Sequence, residues 1–128
     1  MTVDIFTLCD FAQESDGKMT VVGAFDTIYA RQFPAVHPFM CLAVRLRFYI
    51  HEAGTHAMRI AFAAPDGSDA AGPIEGQLSV GDFSGSSRVV HSVFSFVNTP
   101  MAREGTIGIT LSIDEREVLT SPLYVRKT

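Results

Sequence analysis

Apolar and polar residues alternate in short runs along most of this sequence, and this alternation restricts the possible folds more than any other feature. In the clearest run, Cys41 to His51, the apolar set Val44, Leu46, Phe48 and Ile50 alternates with Arg45, Arg47, Tyr49 and His51. Such alternation is typical of a β-strand with one buried and one wet face. No segment shows a helical period, and Gly, Pro, Asp and Ser interrupt the runs. The sequence therefore predicts an all-β protein.

A first hairpin is predicted near the N-terminus. Its strands are Val3–Phe11 and Met19–Phe25, and Asp16-Gly17 is a strong turn signal between them. A three-residue loop would place Phe11 opposite Val21, so that apolar partners meet on one face.

The last predicted hairpin joins Gly105–Asp114 to Val118–Arg126. A three-residue loop would place Ile113 beside Leu119 and gather the apolar side chains on one face. A third, longer hairpin is predicted in the middle of the chain, where Cys41–His51 would pair with the strand that contains Ile60.

The segment Arg31–Met40 contains Pro34 and Pro38, each of which fixes φ and lacks a backbone donor. We interpret it as an extended crossing between two sheets. The strand count is then about eight, with one strand every dozen or so residues. This spacing predicts a single domain over residues 1–128, folded as a two-layer antiparallel β-sandwich of the immunoglobulin-like kind. A jelly roll or a flattened barrel is the alternative.

The charge balance argues against polyanionic partners. The net charge is −4, with only 10 Lys and Arg in total, and the only lysines are Lys18 and Lys127. Nucleic acid and membrane surfaces are therefore not expected as partners, because both need clustered cations. No transmembrane run or signal peptide is recognised, so a cytoplasmic location is expected. Cys9 and Cys41 are then expected to be buried free thiols.

Several catalytic patterns are absent or incomplete. The stretch DGKM lacks the first Gly, the hydroxyl residue and the helix of a phosphate-binding loop. Cys9 is predicted to point into the core, where a thiolate nucleophile is disfavoured. Ser84, His91 and Asp82 supply the letters of a triad, but GDFSGSS is not a nucleophile elbow.

The histidines give no recognised metal spacing. His51 and His56 flank one turn and are the weak candidates for a metal site, yet no cysteine or carboxylate pair stands beside them. The sequence therefore predicts neither a metal nor another cofactor, and it favours a non-enzymatic role.

An arginine-rich face is the strongest candidate for a ligand-binding site. Alternation places Arg45, Arg47 and Tyr49 on one outer face, and the predicted middle hairpin would bring Arg59 close to Arg47. Guanidinium groups beside an aromatic ring can hold a carboxylate or a phosphate. The alternative is that each Arg pairs with a neighbouring acid and covers the sheet with its stem.

The strand Arg88–Val97 has apolar residues on both faces. A loop or a second subunit would be needed to cover both. This pattern predicts a homodimer through a sheet face or edge, or a protein partner.

The segment CDFAQESDGKMTVVGAFDTIYARQFPAVHP, together with SPLYVRK near the C-terminus, resembles an uncharacterised bacterial family, domain of unknown function 6941. The matching positions are Asp10, Phe11, Ala12, Gly17, Lys18, Gly23, Asp26, Phe33, Pro34 and Pro38. The resemblance implies an all-β fold and a bacterial cytoplasmic setting, and it transfers no catalytic residue. The leading hypothesis is a non-enzymatic binding or assembly module. A small-molecule binder or hydrolase, acting on an anion or a metal, and an accessory subunit of a larger complex are the alternatives.

Overall fold

The computed structural model describes residues 1–128 and contains nine strands in two sheets. The strands are β1 (Thr2–Ser15), β2 (Lys18–Phe25), β3 (Thr27–Ala30), β4 (Ala35–Tyr49), β5 (Gly54–Ala63), β6 (Asp69–Val80), β7 (Ser87–Met101), β8 (Gly105–Ile113) and β9 (Arg116–Lys127). One 3₁₀ turn, Ile50–Glu52, interrupts them. No helix has the length and apolar character needed to cross a bilayer. The prediction of an all-β sandwich is confirmed.

The two sheets differ in size and in strand direction. The four-stranded sheet has the order β2-β1-β4-β7 and is antiparallel throughout. The five-stranded sheet has the order β3-β9-β8-β5-β6, and its β3–β9 pair is parallel. Alternation did not reveal the four-residue strand β3. β6 lies at an edge, as the glycine within it had indicated.

The predicted middle hairpin is wrong, because β4 and β5 belong to different sheets. After the 3₁₀ turn the chain crosses to the other layer. The apolar faces of the two strands then pack within one core, where Phe48 of β4 and Ile60 of β5 are both completely buried. Alternation specifies which face of a strand is buried, and it is silent on whether the next strand pairs with it or lies opposite it.

The core between the sheets contains 18 buried residues. From β4 it takes Met40, Leu42, Val44, Leu46 and Phe48, and from the five-stranded sheet its most buried members are Ile60, Ile109, Leu111, Leu123 and Val125. β7 adds the partly buried Val90, Phe94 and Phe96 from the edge of the four-stranded sheet. On its other face Val93 packs against a second cluster, while Val97 is exposed.

The first hairpin is present, but its register differs from the predicted one by one residue. Ser15 pairs with Lys18 and Phe11 with Val22, so the loop has two residues rather than three. Both loop residues have positive φ, +53° at Asp16 and +72° at Gly17. This is the geometry of a type I′ turn, whose twist matches that of the flanking strands.

Halfway along the first hairpin, the side chains that point to the outer face change from one alternating set to the other. Cys9 lies on the outer face of the four-stranded sheet, so alternation would turn Ala12 toward the core. Instead Ala12 is buried in a second cluster with Cys9, Cys41 and Ala43 on that outer face. Pairing is interrupted at Asp10 and Gly23, where Gly23 has φ +65°. The reversal folds the tip of the hairpin over the sheet.

The last hairpin also closes with a two-residue loop. Ile113 pairs with Arg116, and both loop residues, Asp114 and Glu115, have positive φ. The register shifts before the strands continue with Leu111 opposite Leu119. The predicted pairing of Ile113 with Leu119 is therefore wrong, and beyond the shift the predicted register is wrong by two residues, although the buried face is unchanged.

The predicted crossing is shorter than expected. Only Arg31–Pro34 lies between β3 and β4, and β4 begins at Ala35. Pro38 lies inside β4, where the pairing with β7 skips Pro38 and Asn98. Asn98 adopts φ +53°, so the local irregularity accommodates a residue without a backbone donor.

Candidate functional site

Two of the predicted arginines share one carboxylate on the outer face of the four-stranded sheet. Arg45 Nε lies 3.1 Å from Asp4 Oδ2, and Arg47 donates to the same oxygen from Nη2 at 2.8 Å and from Nε at 3.2 Å. The hydrogen bonds from Arg47 and then Arg45 lower the pKa of Asp4 below its ordinary value of 3.8. The positive face inferred from sequence is therefore partly neutralised by an acid on β1.

One further nitrogen of each arginine is also engaged. Arg45 Nη1 lies 3.0 Å from His91 Nε2, and Arg47 Nη1 donates to Ser87 Oγ at 2.8 Å. His91 Nδ1 lies 3.5 Å from a carboxylate oxygen of Glu14 at the folded-over hairpin tip. The His91 side chain is only 3% exposed. These contacts form a polar network that fastens the hairpin to the sheet.

The four residues of the predicted ligand-binding face do not come together. Arg59 lies on β5 in the other sheet and pairs with Glu75 at 3.1 Å. Tyr49 stays near Arg47 on β4, and its hydroxyl lies 3.5 Å from that of Thr2. Arg45, Arg47, Tyr49 and Arg59 do not form one site, because β4 and β5 are not paired and lie in different sheets.

His56 bridges two turns with both ring nitrogens. Its Nδ1 lies 2.7 Å from Asp114 Oδ2 and its Nε2 lies 2.6 Å from the carbonyl oxygen of Glu52. The ring stacks on Phe48, with centroids 4.9 Å apart. The hydrogen bond to Asp114, followed by that to Glu52, raises the pKa of His56 above its ordinary value of 6.5. Both neighbours are acceptors, so only the doubly protonated ring satisfies both.

The predicted weak metal candidates are not joined by further ligands. His51 is exposed in the 3₁₀ turn, while His56 is occupied by Asp114 and Glu52. No group of three or more His, Cys, Asp or Glu side chains in the chain is arranged to hold a metal ion.

Cys9 and Cys41 lie directly opposite each other on β1 and β4, and they are 0% and 1% exposed. The predicted burial is confirmed, but the thiols occupy the outer-face cluster rather than the core between the sheets. Burial, and then the neighbouring Cys41, raises the pKa of the Cys9 thiol above its ordinary value of 9.0. A raised pKa disfavours the thiolate that nucleophilic chemistry requires.

A cleft opens where the chain leaves one sheet for the other. β2 ends at Phe25, β3 begins at Thr27, and Asp26 alone joins them. The cleft has a volume of about 350 Å³ and is lined by Asp10, Gly23, Ala24, Phe25, Thr27, Ile28, Tyr29 and His37. Phe25 and His37 meet inside it with ring centroids 5.8 Å apart. Volumes of this order accommodate small organic ligands.

Three polar side chains of the cleft have no partner within the chain. Asp10, Tyr29 and His37 make no side-chain hydrogen bond or ion pair. This distinguishes them from Arg45, Arg47 and His56, whose polar atoms are engaged. A larger depression of about 680 Å³ on the five-stranded sheet contains Arg59, already paired with Glu75.

Sequence reasoning missed this cleft. The sequence pattern places Asp10 in the first hairpin and His37 in the proline-containing crossing, and it marks neither residue as part of a site. The usable signal is the Gly23 interruption of an otherwise apolar strand, since an isolated glycine in a strand indicates a bulge or a close approach. The position of Tyr29 beside His37 depends on the sheet crossing, which the sequence pattern does not specify.

The fold and the cleft define a β-sandwich with a ligand-sized opening between its layers. The chain belongs to the family of unknown function DUF6941, whose model matches residues 4–126. This confirms the resemblance noted in the sequence. No curated protein matches the chain.

A solved structure is similar in fold. It is the alkylpurine DNA glycosylase AlkC of Pseudomonas fluorescens, bound to DNA containing an abasic site analog. The similarity has a TM-score of 0.52 and 12% identity, and it covers 79% of this chain but only 28% of that one. At this identity the similarity shows the fold alone.

The partner prediction is corrected by this finding. Composition was taken to exclude nucleic acid, yet a sandwich of this kind is part of a DNA-bound protein. Composition is therefore not sufficient grounds for the exclusion. Neither the structure nor the comparisons supply evidence for the predicted homodimer or protein partner.

Proposed function

We propose that this chain is a non-enzymatic binding module of the bacterial cytoplasm that holds a small organic ligand in the cleft between β2 and β3. The observation that carries the proposal is the convergence of three unpartnered polar side chains, Asp10, Tyr29 and His37, on one cavity with the aromatic ring of Phe25. Small-molecule sites combine an apolar lining with a few convergent polar groups in this way.

The cleft has the composition to orient a ligand as well as to hold it. Phe25 and Ile28 provide apolar surface that continues into the core, because both pack with its residues. Asp10 offers acceptor oxygens, while the Tyr29 hydroxyl and the His37 ring can each donate or accept. A ligand with an apolar body and one or two polar groups would use all of these.

The non-enzymatic part of the proposal is supported by the state of two reactive side chains outside the cleft, His56 and Cys9. His56 has both ring nitrogens bonded to acceptors, so neither is free to take a proton from a substrate. The Cys9 thiol is completely buried and has a raised pKa. The small-molecule alternative from sequence is thereby retained, and its site moves from the arginine face to the cleft.

Two-dimensional ¹H–¹⁵N NMR spectra of the full chain, recorded with a library of cationic, neutral and anionic fragments, test the proposal. Binding fragments should shift the amide signals of Gly23, Ala24 and Thr27. The double variant Tyr29→Ala/His37→Ala should lose these shifts while keeping a folded spectrum.

The matched control is Tyr49→Ala/His51→Ala, which removes the same two side-chain types from the sequence-predicted face. It should leave fragment binding unchanged. If the control variant loses fragment binding instead, the ligand site lies on that face and not in the cleft. A fluorescent duplex with an abasic site analogue is the second probe, because the structural neighbour is bound to such DNA. Saturable DNA binding without any fragment binding would replace the small ligand with DNA.

A further inference from the structure

We infer that the ligand of the cleft is an organic cation, a primary or quaternary amine attached to a compact apolar group. This inference rests on the proposed function, and it adds the chemical class of the ligand. The charge of the cleft is the first observation. Among its lining residues Asp10 is the only carboxylate, and no Lys or Arg lines the cleft to neutralise it.

The carboxylate lies close against the backbone of Gly23. A Cβ built on Gly23 would collide with the Asp10 carboxylate, so the absence of a side chain at position 23 leaves the space that the carboxylate fills. Gly23 also adopts φ +65°, which a residue with a side chain tolerates poorly. The acceptor oxygens of Asp10 therefore lie beside Gly23 at the wall of the cleft.

The aromatic lining suits the same class of ligand. Phe25, Tyr29 and His37 all contribute rings to the cleft, and those of Phe25 and His37 are tilted by 52°. The face of an aromatic ring attracts an ammonium group, and the attraction increases where water is partly excluded. Tyr29 is 67% exposed, so its ring is available to a ligand entering from solvent.

A metal ion fits this cleft less well than an organic cation. Asp10 and His37 are the only metal-ligating side chains in the lining, whereas protein zinc sites use three or four protein ligands. An anionic ligand would meet the unpaired carboxylate of Asp10 in a chain of net charge −4. Electrostatic complementarity therefore selects a positive group.

The test is an NMR titration of the full chain with three probes of similar shape, 2-phenylethylammonium, 2-phenylethanol and 3-phenylpropionate. The ammonium probe should shift the Gly23 and Ala24 amides and bind about tenfold more tightly than the alcohol, since charge-assisted hydrogen bonds are about twice as strong as neutral ones. The carboxylate probe should cause no shift there.

Asp10→Asn should weaken binding of the ammonium probe about tenfold and leave that of the alcohol unchanged. Asp26→Asn is the matched control, because it removes the same charge from a residue that does not line the cleft and whose carboxylate accepts a hydrogen bond from Thr27. It should bind the ammonium probe like the unmodified chain.

The outcomes separate the two proposals. Equal binding of all three probes in the cleft overturns the cation inference and leaves the proposed function intact. Absence of any shift in the cleft with all three probes, and with the fragment library, overturns both. Should Asp10→Asn not fold, the three probes on the unmodified chain decide the question alone.

Discussion

The carboxylate of Asp10 occupies the space where a side chain at position 23 would lie, and Gly23 is the residue whose φ of +65° makes that arrangement possible. The two residues stand where the first hairpin reverses its facing. One close approach therefore serves both the fold and the cleft. It lies where the hairpin turns Ala12 toward the thiol cluster, and it presents a carboxylate to the cleft.

Gly23→Ala should destabilise the chain more than Gly17→Ala. Both glycines have positive φ, +65° and +72°, so both alanine variants pay about 1 kcal/mol for a left-handed conformation. Nothing lies within 4 Å of a Cβ at position 17, whereas a Cβ at position 23 meets Asp10. The Asp10 carboxylate is exposed and has no hydrogen bond, so it can move, and the added cost should stay below the about 1–3 kcal/mol of core overpacking. Urea denaturation of the two variants measures the difference.

A double-mutant cycle isolates the contact. In an Asp10→Ala background, Gly23→Ala should cost only about as much as Gly17→Ala does, because the colliding carboxylate is gone. Equal destabilisation by Gly23→Ala with and without Asp10 would show that the cost comes from φ alone.

Much of the first hairpin was predictable from the sequence, and its register was not. Asp16-Gly17 identifies the turn correctly. The pairing was inferred by matching apolar residues across a three-residue loop, whereas the loop has two residues, so the predicted register is displaced by one residue. On each side of Asp10 and Gly23 apolar and polar residues alternate as in any strand, so the sequence does not show that the outward-facing set changes there. The contact between Glu14 and His91 shows on which side of the sheet the hairpin tip lies.

Asp4→Asn should lower the melting temperature near neutral pH, and the difference from the unmodified chain should shrink in acid. The pKa of Asp4 is lowered by its hydrogen bonds to Arg47 and Arg45. Such a group contributes stability above its unfolded pKa, and the contribution is lost as the pH falls through the folded value, below 3.8. Thermal unfolding across that acid range provides the measurement.

Asp82→Asn is the control for this experiment, because Asp82 is an exposed acid with no resolved contact. It should unfold like the unmodified chain at every pH. A pH-independent loss in Asp4→Asn would indicate that packing, rather than the shared charge, accounts for the effect.

His56 should titrate above 6.5 in the folded chain, and Asp114→Asn should bring its pKa back toward that value. The hydrogen bond to Asp114 is the largest cause of the raised pKa. A group with a raised folded pKa stabilises fully below its unfolded pKa, and the contribution disappears as the pH rises through the folded value. The melting temperature should therefore fall as the pH rises from about 6.5 through the folded pKa of His56.

NMR titration of the histidine ring protons checks both the pKa and its response to Asp114→Asn. A His56 titration curve identical in the two proteins would contradict the role given to Asp114.

The candidate site depends on relations that a single sequence does not contain. Arg45 and Arg47 were correctly placed on one outer face, but Asp4, which neutralises them, comes from a strand paired through long-range contacts. Tyr29 and His37 line one cleft because β3 joins β9 in the second sheet while β4 returns to the first. The apolar period of a strand indicates which of its faces is buried. Which faces line the same cleft depends on the sheet to which each strand belongs, and the period does not indicate this.

Cys9 and Cys41 should react with a thiol reagent such as Ellman's reagent only as fast as the chain unfolds. Both side chains are buried, and burial raises the pKa of Cys9, so at about pH 8 little accessible thiolate is present. Both thiols should react at once in denaturing guanidinium. Cys41→Ala should halve the amplitude without opening Cys9 to fast reaction. Rapid labelling of the folded chain would mean that the hairpin tip opens on its own and leaves the outer-face cluster uncovered.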